Sequence, residues 1–321
     1  QQLNMTKEHV LVIGANGQIG SVLTNQLRRL FGKNQVIATD IRPLATEHDG
    51  PFEILDVLNK DRLAEIIQEY QISQIYHLAA ILSAKGEQKP VHSWDINMTG
   101  LLNILEVGRN SSIKKIFFPS SIAVFGPNVP RDNTPQEVVL TPTTVYGISK
   151  VAGEIWCQYY YDKYGLDVRS LRYPGIIGHQ SLPGGGTTDY AVHIYHEALN
   201  KGRYECFLAE DMELPMIYMD DAIRATIELM EAPAEQIKIR TSYNLAGMSF
   251  NPAQQASSIR KHLPDFQISY APDYRQAIAA SWPNSIDDRA AQNDWHWKPA
   301  FDLPGMTLDM LQNLQAHQLT T

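Results

Sequence analysis

Cysteine is almost missing from this chain: only Cys157 and Cys206 occur in 321 residues. Two thiols cannot build a disulfide framework, so a reducing compartment is expected, the cytoplasm first and the mitochondrial matrix as the alternative. Zinc sites built on thiolates are equally out of reach. His193 and His196 stand three apart before Glu197 but have no third ligand at useful spacing, so no metal is expected. No run of about 18 apolar residues exists, so no membrane span is expected. Lys/Arg runs are also lacking, and a formal charge of −8 argues against a nucleic-acid partner. A G-x-S-x-G elbow is not found, which makes Ser120 and Ser121 poor hydrolase nucleophiles. The first eight residues are polar, carry no signal-peptide core and are set aside.

What is present starts at Lys7. His9 to Ile13 is a short apolar stretch, Gly14-Ala15-Asn16-Gly17-Gln18-Ile19-Gly20 follows, and Ile19, Leu23, Leu27 and Leu30 then recur at helical spacing. A second apolar stretch from Gln35 to Thr39 ends in Asp40. Strand, glycine turn, helix, strand and acid is the order of a βαβ dinucleotide site. Gly14, Gly17 and Gly20 keep the turn tight and let the backbone approach a pyrophosphate, and the helix N-terminus offers it unpaired N–H groups. The spacing is G-x-x-G-x-x-G rather than G-x-G-x-x-G, so flanking context carries the assignment. Asp40 can accept both hydroxyls of an adenosine ribose and would repel a 2′-phosphate, favouring NAD over NADP; Arg42 could soften that preference.

Further strands are expected at Phe52–Leu55, Gln74–Ala80, Lys115–Pro119 and Val168–Arg172. Asp56 and Val57 stand where an adenine would lie, with Asp56 either bonding its amino group or capping the next helix. His77 is expected as a core histidine. Asn97, on a mostly core-facing helix, either bonds backbone or supports an active-site water. The sharpest signal is Tyr146 with Lys150, four apart on one helix face. A phenol with its ordinary pKa of about 10 is a poor base, and a neighbouring ammonium is expected to lower it by roughly 1–3 units. Ser121, just past an apolar strand, can bond the same substrate oxygen. Tyr159-Tyr160-Tyr161 is expected to pack a helix and a subunit seam.

After Tyr173 the alternation loosens. Gly184-Gly185-Gly186-Thr187-Thr188-Asp189 is a turn before a helix from Tyr190. Short strands are expected at Phe207, Met216–Met219, Tyr243–Ala246 and Gln267–Tyr270. Helices are expected at Asp220–Met230, Pro252–His262, Asp273–Ala280 and Ser285–Asp294. The expected fold class is therefore α/β: a doubly wound parallel sheet (Rossmann) over residues 7–173. Residues 174–321 are expected to form a smaller, interleaved substrate lobe with some segments returning to the sheet.

The glycine turn, the strand end His77-Leu78-Ala79-Ala80, Asn97, Ser121, and Tyr146 with Lys150 together resemble the extended short-chain dehydrogenase/reductase family, over nearly the whole chain. Within it, Pro119-Ser120-Ser121-Ile122-Ala123-Val124-Phe125-Gly126, Arg172-Tyr173-Pro174-Gly175-Ile176-Ile177 and Gly185-Gly186-Thr187-Thr188-Asp189-Tyr190 look like the branch that oxidises L-threonine with NAD. That resemblance implies a threonine C3 hydroxyl giving up its proton to Tyr146. Lys150 would hold the nicotinamide ribose, Ser121 would orient the hydroxyl with Ser120 as a second contact, and Asn97 would support the lysine through water. Ser83 and Thr187 would contact the amino-acid head group. Asn16, Gln18, Ile19, Ile41, Leu78, Ala79, Ala80, Pro119 and Ile176 would touch the cofactor. A homodimer is implied. The alternative is a nucleotide-sugar epimerase or dehydratase of the same family, although Pro174-Gly175 stands where such enzymes place an asparagine for the diphosphate.

Overall fold

Alternate residues of the first strand, β1 (Val10–Ile13), face two different cores. Val10 and Val12 pack with Leu23 and Leu27 of the following helix, α1 (Gln18–Phe31), whereas Leu11 and Ile13 pack with Leu63 and Leu101 on the opposite side. A strand buried on both faces belongs inside a parallel sheet covered by helices on each side. The computed structural model describes residues 8–43, 49–80 and 82–320. Residue 7, the expected start of the first lobe, lies outside them.

The main sheet also contains β2 (Val36–Asp40), β3 (Phe52–Ile54), β4 (Gln74–His77), β5 (Lys115–Ser121), β6 (Asp167–Tyr173) and, from far along the chain, β10 (Tyr243–Asn244). Its order is β10-β6-β5-β4-β1-β2-β3, and every pairing is parallel. The order reverses between β1 and β4, which places the ligand crevice over the carboxyl ends of those strands. One side of the sheet carries α2 (Lys60–Glu69), α4 (Pro90–Arg109) and α5 (Val145–Tyr164); the other carries α1 and α7 (Met219–Glu231). The single turn α3 (Ser83–Gly86) follows β4 and packs against α5.

The remaining elements build a separate core under the far side of the crevice. They are β7 (Gly175–Ile177), α6 (Tyr190–Lys201), β8 (Arg203–Cys206), β9 (Leu214–Tyr218), β11 (Met248–Phe250), α8 (Pro252–Arg260), β12 (Gln267–Tyr270), α9 (Tyr274–Ala280) and α11 (Leu303–Thr320), whereas α10 (Arg289–Trp295) packs Ala291 and Trp295 into the main-sheet core. A three-stranded sheet, β11-β9-β7, and a parallel pair, β12-β8, organise it. The loop residues Ile122, Val124 and Phe125 that follow β5 belong to this core, which ties the two halves together.

Several sequence expectations need correction. The strand expected at Phe207 ends at Cys206, just before it. The helix expected from Ser285 begins at Arg289. β7 and β11 escape notice because three residues give no readable alternation. α11 escapes because Pro304 and Gly305 look like a turn, although a first-turn proline is well tolerated. Asp56 is not a helix cap: Asn59 caps α2 by accepting from Arg62 N, while Asp56 accepts from Leu58 N.

Candidate active site

The glycine turn is dictated by close backbone approach. Gly14 has φ +82°, and a Cβ there would stand 2.8 Å from Ala79 N and from Leu78 C. At Gly20 a Cβ would lie 2.1 Å from Gly14 O, so α1 can start directly against the turn only without a side chain. The N-cap of α1, Gly17, contributes no side-chain hydrogen bond. The first N–H groups of α1 and its positive dipole end are therefore presented to a ligand. Asp40 closes the turn from the tip of β2, where its Oδ2 accepts from Asn16 N at 3.0 Å. Asn16 Nδ2 donates to Arg42 O, while its buried Oδ1 has no partner and is an acceptor that a nucleotide hydroxyl can satisfy. These features fit a dinucleotide.

A cleft of about 420 Å³ runs from this turn toward the second core. Gly14, Asn16, Gly17, Gln18, Ile19 and Gly20 line one end. Pro119, Ser120, Ser121, Tyr146 and Lys150 line the middle, with Leu78 and Ala80 at the switch point and Ile176 opposite. Asp40, exposed Ile41 and Arg42 lie beyond this cleft along the β2 edge. Asp56 lies in a separate shallow depression, and the Val57 side chain is buried beside Gly100 of α4. Ala79 is half-buried behind Gly14. Asn97 is half-buried on α4 and does not line the cleft.

Tyr146 and Lys150 sit in the first turns of α5, whose start is fixed by Thr144 Oγ1 accepting from Gly147 N at 3.0 Å. Lys150 is buried and donates from Nζ to Pro119 O at 2.5 Å. Its ammonium lies 5.3 Å from the Tyr146 ring centre. The expected lowering of the Tyr146 pKa is not what the protein alone produces. Burial pushes the phenol up to about 12, opposed by a hydrogen bond with the Ser121 hydroxyl. Burial also pulls Lys150 down to about 7, against the opposing effect of Cys157 and Glu154. Desolvation disfavours the charged form of either group, and here it is the largest influence on both. His77 is a core histidine, pushed down to about 3 by burial and by Lys150.

At the far end, two residues 104 positions apart meet: Ser83 Oγ lies 3.2 Å from Thr187 Oγ1, both buried. The turn before Thr187 is held by Asp189, whose Oδ2 accepts from Gly185 N at 2.9 Å and Gly186 N at 2.8 Å. Gln18 reaches across the cleft and donates to Leu182 O at 2.9 Å. Trp282 forms part of the same wall. Sequence reasoning missed Asp189 and Trp282. The run of glycines before Asp189 was a usable signal, whereas nothing local marks Trp282. The Ser120 hydroxyl donates to Glu154 Oε2 at 2.6 Å. Among the described residues no group of three or more His, Cys, Asp or Glu could hold a metal ion, and no helix is long and apolar enough to cross a membrane.

Residues 10–246 match the model of the NAD dependent epimerase/dehydratase family. The chain belongs to that family. It is an extended short-chain dehydrogenase/reductase, and its cofactor is NAD. An uncharacterized epimerase/dehydratase of Staphylococcus haemolyticus is 47% identical over 312 residues, 96% of this chain and 98% of the relative. Among solved structures, a partial consensus L-threonine 3-dehydrogenase superposes with a TM-score of 0.95 at 56% identity, covering 96% of this chain and 99% of that one. The holo form of an L-threonine dehydrogenase from Cupriavidus necator gives 0.94 at 54% identity, covering 95% and 99%. The family supports an NAD-dependent oxidoreductase.

Proposed function

We propose that the chain oxidises the C3 hydroxyl of L-threonine to give 2-amino-3-ketobutyrate. The observation that carries this reading is the Ser83–Thr187 hydroxyl pair, set in the same cleft as Ser121, Tyr146 and Lys150. Hydroxyls suit the polar head of a small amino acid. A sugar diphosphate calls for cations, and among the described lining residues Lys150 is the one cation. The solved threonine dehydrogenases with which the chain shares its fold support the same choice.

The glycine turn, Asp40 and Lys150 would hold NAD, which would take the C3 hydrogen as a hydride. Ser121 donates to or accepts from the substrate hydroxyl and fixes its direction. Tyr146 receives the hydroxyl proton as the carbonyl forms. Lys150, when protonated, stabilises the phenolate and thereby lowers the cost of that transfer. Because burial holds the phenol near 12 and Lys150 near 7, ammonium and phenolate coexist in only a fraction of molecules, and turnover is expected to follow a bell-shaped pH profile.

The alternative, a nucleotide-sugar epimerase or dehydratase, is favoured by the family match and by the epimerase/dehydratase name of the staphylococcal relative. Absorbance at the NADH maximum separates the two readings. Growth of signal with L-threonine and NAD, with none from UDP-glucose, supports the dehydrogenase. Sugar-nucleotide turnover without threonine oxidation would overturn it.

A further inference from the structure

Three consecutive residues at the end of β5 each hold a different residue of α5. Pro119 O accepts from Lys150 Nζ, Ser120 Oγ donates to Glu154 Oε2, and the Ser121 hydroxyl bonds the Tyr146 phenol. Their partners fall at 146, 150 and 154, one helical turn apart and on one face. The outer contacts engage the proposed catalytic groups. The remaining one is made by groups the reaction does not use. The Ser120 hydroxyl is already committed to Glu154 Oε2, at 2.6 Å.

Glu154 is 1% exposed and saturated with donors. Besides Ser120 it accepts from Arg172 Nε at 3.0 Å and Nη2 at 2.8 Å. Arg172, 4% exposed, donates onward to Gln136 O at 3.1 Å and Asn244 Oδ1 at 3.0 Å. A buried ion pair persists where its remaining valences are met. This one bolts α5 to β6 and to the loop leading into the second core. Ser120 is the point at which that rigid assembly grips the strand end.

We propose that Ser120 and Glu154 are a positioning pair that sets β5 against α5, so that Pro119 O and Ser121 meet Lys150 and Tyr146, and that Ser120 does not touch the substrate. This rests on the reading of Tyr146 and Lys150 as catalytic. Glu154 also bears on protonation. Lys150 faces Tyr146, Glu154 and Cys157 on its own helix and His77 on β4, and Glu154 and Cys157 favour its charged form.

The test compares Ser120→Ala, Ser120→Thr and Glu154→Gln in the full chain with NAD. Displacing catalytic groups slightly is costly, so Ser120→Ala is expected to lower kcat ~10-fold while KM for the amino acid and NADH affinity, read by fluorescence, stay within about twofold. Ser120→Thr should recover most of the loss, and amides 119–124 should exchange hydrogen faster in Ser120→Ala. Glu154→Gln should move the alkaline limb of kcat/KM to lower pH, because Lys150 then sheds its proton more readily. If Glu154→Gln does not fold, Ser120→Ala carries the test alone. Unchanged kcat and exchange in Ser120→Ala overturn the pair, as does a raised KM with kcat intact, which would make Ser120 a substrate contact. A wild type silent toward L-threonine sinks the substrate reading alone, since exchange still reports on the pair.

Discussion

The two ends of the cleft are built by opposite means. The nucleotide end is made of backbone: glycines without Cβ atoms, the free N–H groups of α1, and one carboxylate at the tip of β2. The end proposed for the amino acid is made of side chains drawn from Ser83, Thr187, Asp189 and Trp282. A backbone site is encoded by neighbours in sequence and tolerates little change. A side-chain site is assembled by the fold and is where related enzymes can change substrate without changing cofactor.

Removing the group between the ends should leave both binding functions standing. Tyr146→Phe is expected to cost ~10²–10⁴-fold in kcat, the range for a lost acid–base group, with NADH binding retained by fluorescence titration. Turnover close to wild type would remove Tyr146 from the reaction. The next effect breaks the backbone end alone. In Gly20→Val the added side chain meets Gly14 O, which a Cβ at this position already approaches to 2.1 Å. The turn must open, and NAD affinity is expected to fall roughly 100-fold as phosphate contacts at the helix N-terminus are lost. Calorimetry checks this, and an unchanged Kd would place the dinucleotide elsewhere.

This asymmetry explains what could be read in advance. The strand–turn–helix–strand run and its acid are contiguous, so their geometry follows from local rules. The seven-strand sheet was legible for the same reason, since alternating apolar strands and helices admit few topologies. The Ser83–Thr187 contact spans the fold: Ser83 stood just past a strand end where substrate would sit, whereas Thr187 entered through family resemblance. Trp282 and the Glu154–Arg172 pair carried no local signal at all. The Tyr146–Lys150 electrostatics were misjudged because four-residue spacing reports proximity but not desolvation, and burial proves the larger influence on both groups.

The side-chain end should yield smaller, more selective effects. Thr187→Val keeps shape but removes the hydroxyl facing Ser83. A lost neutral hydrogen bond is worth about 1 kcal/mol, so KM for L-threonine is expected to rise ~5–10-fold with NAD affinity unchanged. A matching loss of NAD affinity would show that the two ends are not independent.

The smallest effect concerns the cost of holding a lysine between them. Burial lowers the Lys150 pKa from 10.5 to about 7. Between those values the unfolded chain binds the proton and the folded chain does not, so this group makes stability rise with pH across that window. Below pH 7 both states carry the proton and the desolvation cost is fully present; above about 10.5 it is gone. Lys150→Met removes the titration while filling similar volume, although it leaves Pro119 O without its donor at a cost of about 1 kcal/mol. The variant is therefore expected to melt ~5 °C above wild type at pH 6, with the gain shrinking toward pH 10. Calorimetry at the two pH values decides it. A difference independent of pH would mean that the ammonium is satisfied in the fold and that burial exacts nothing from it.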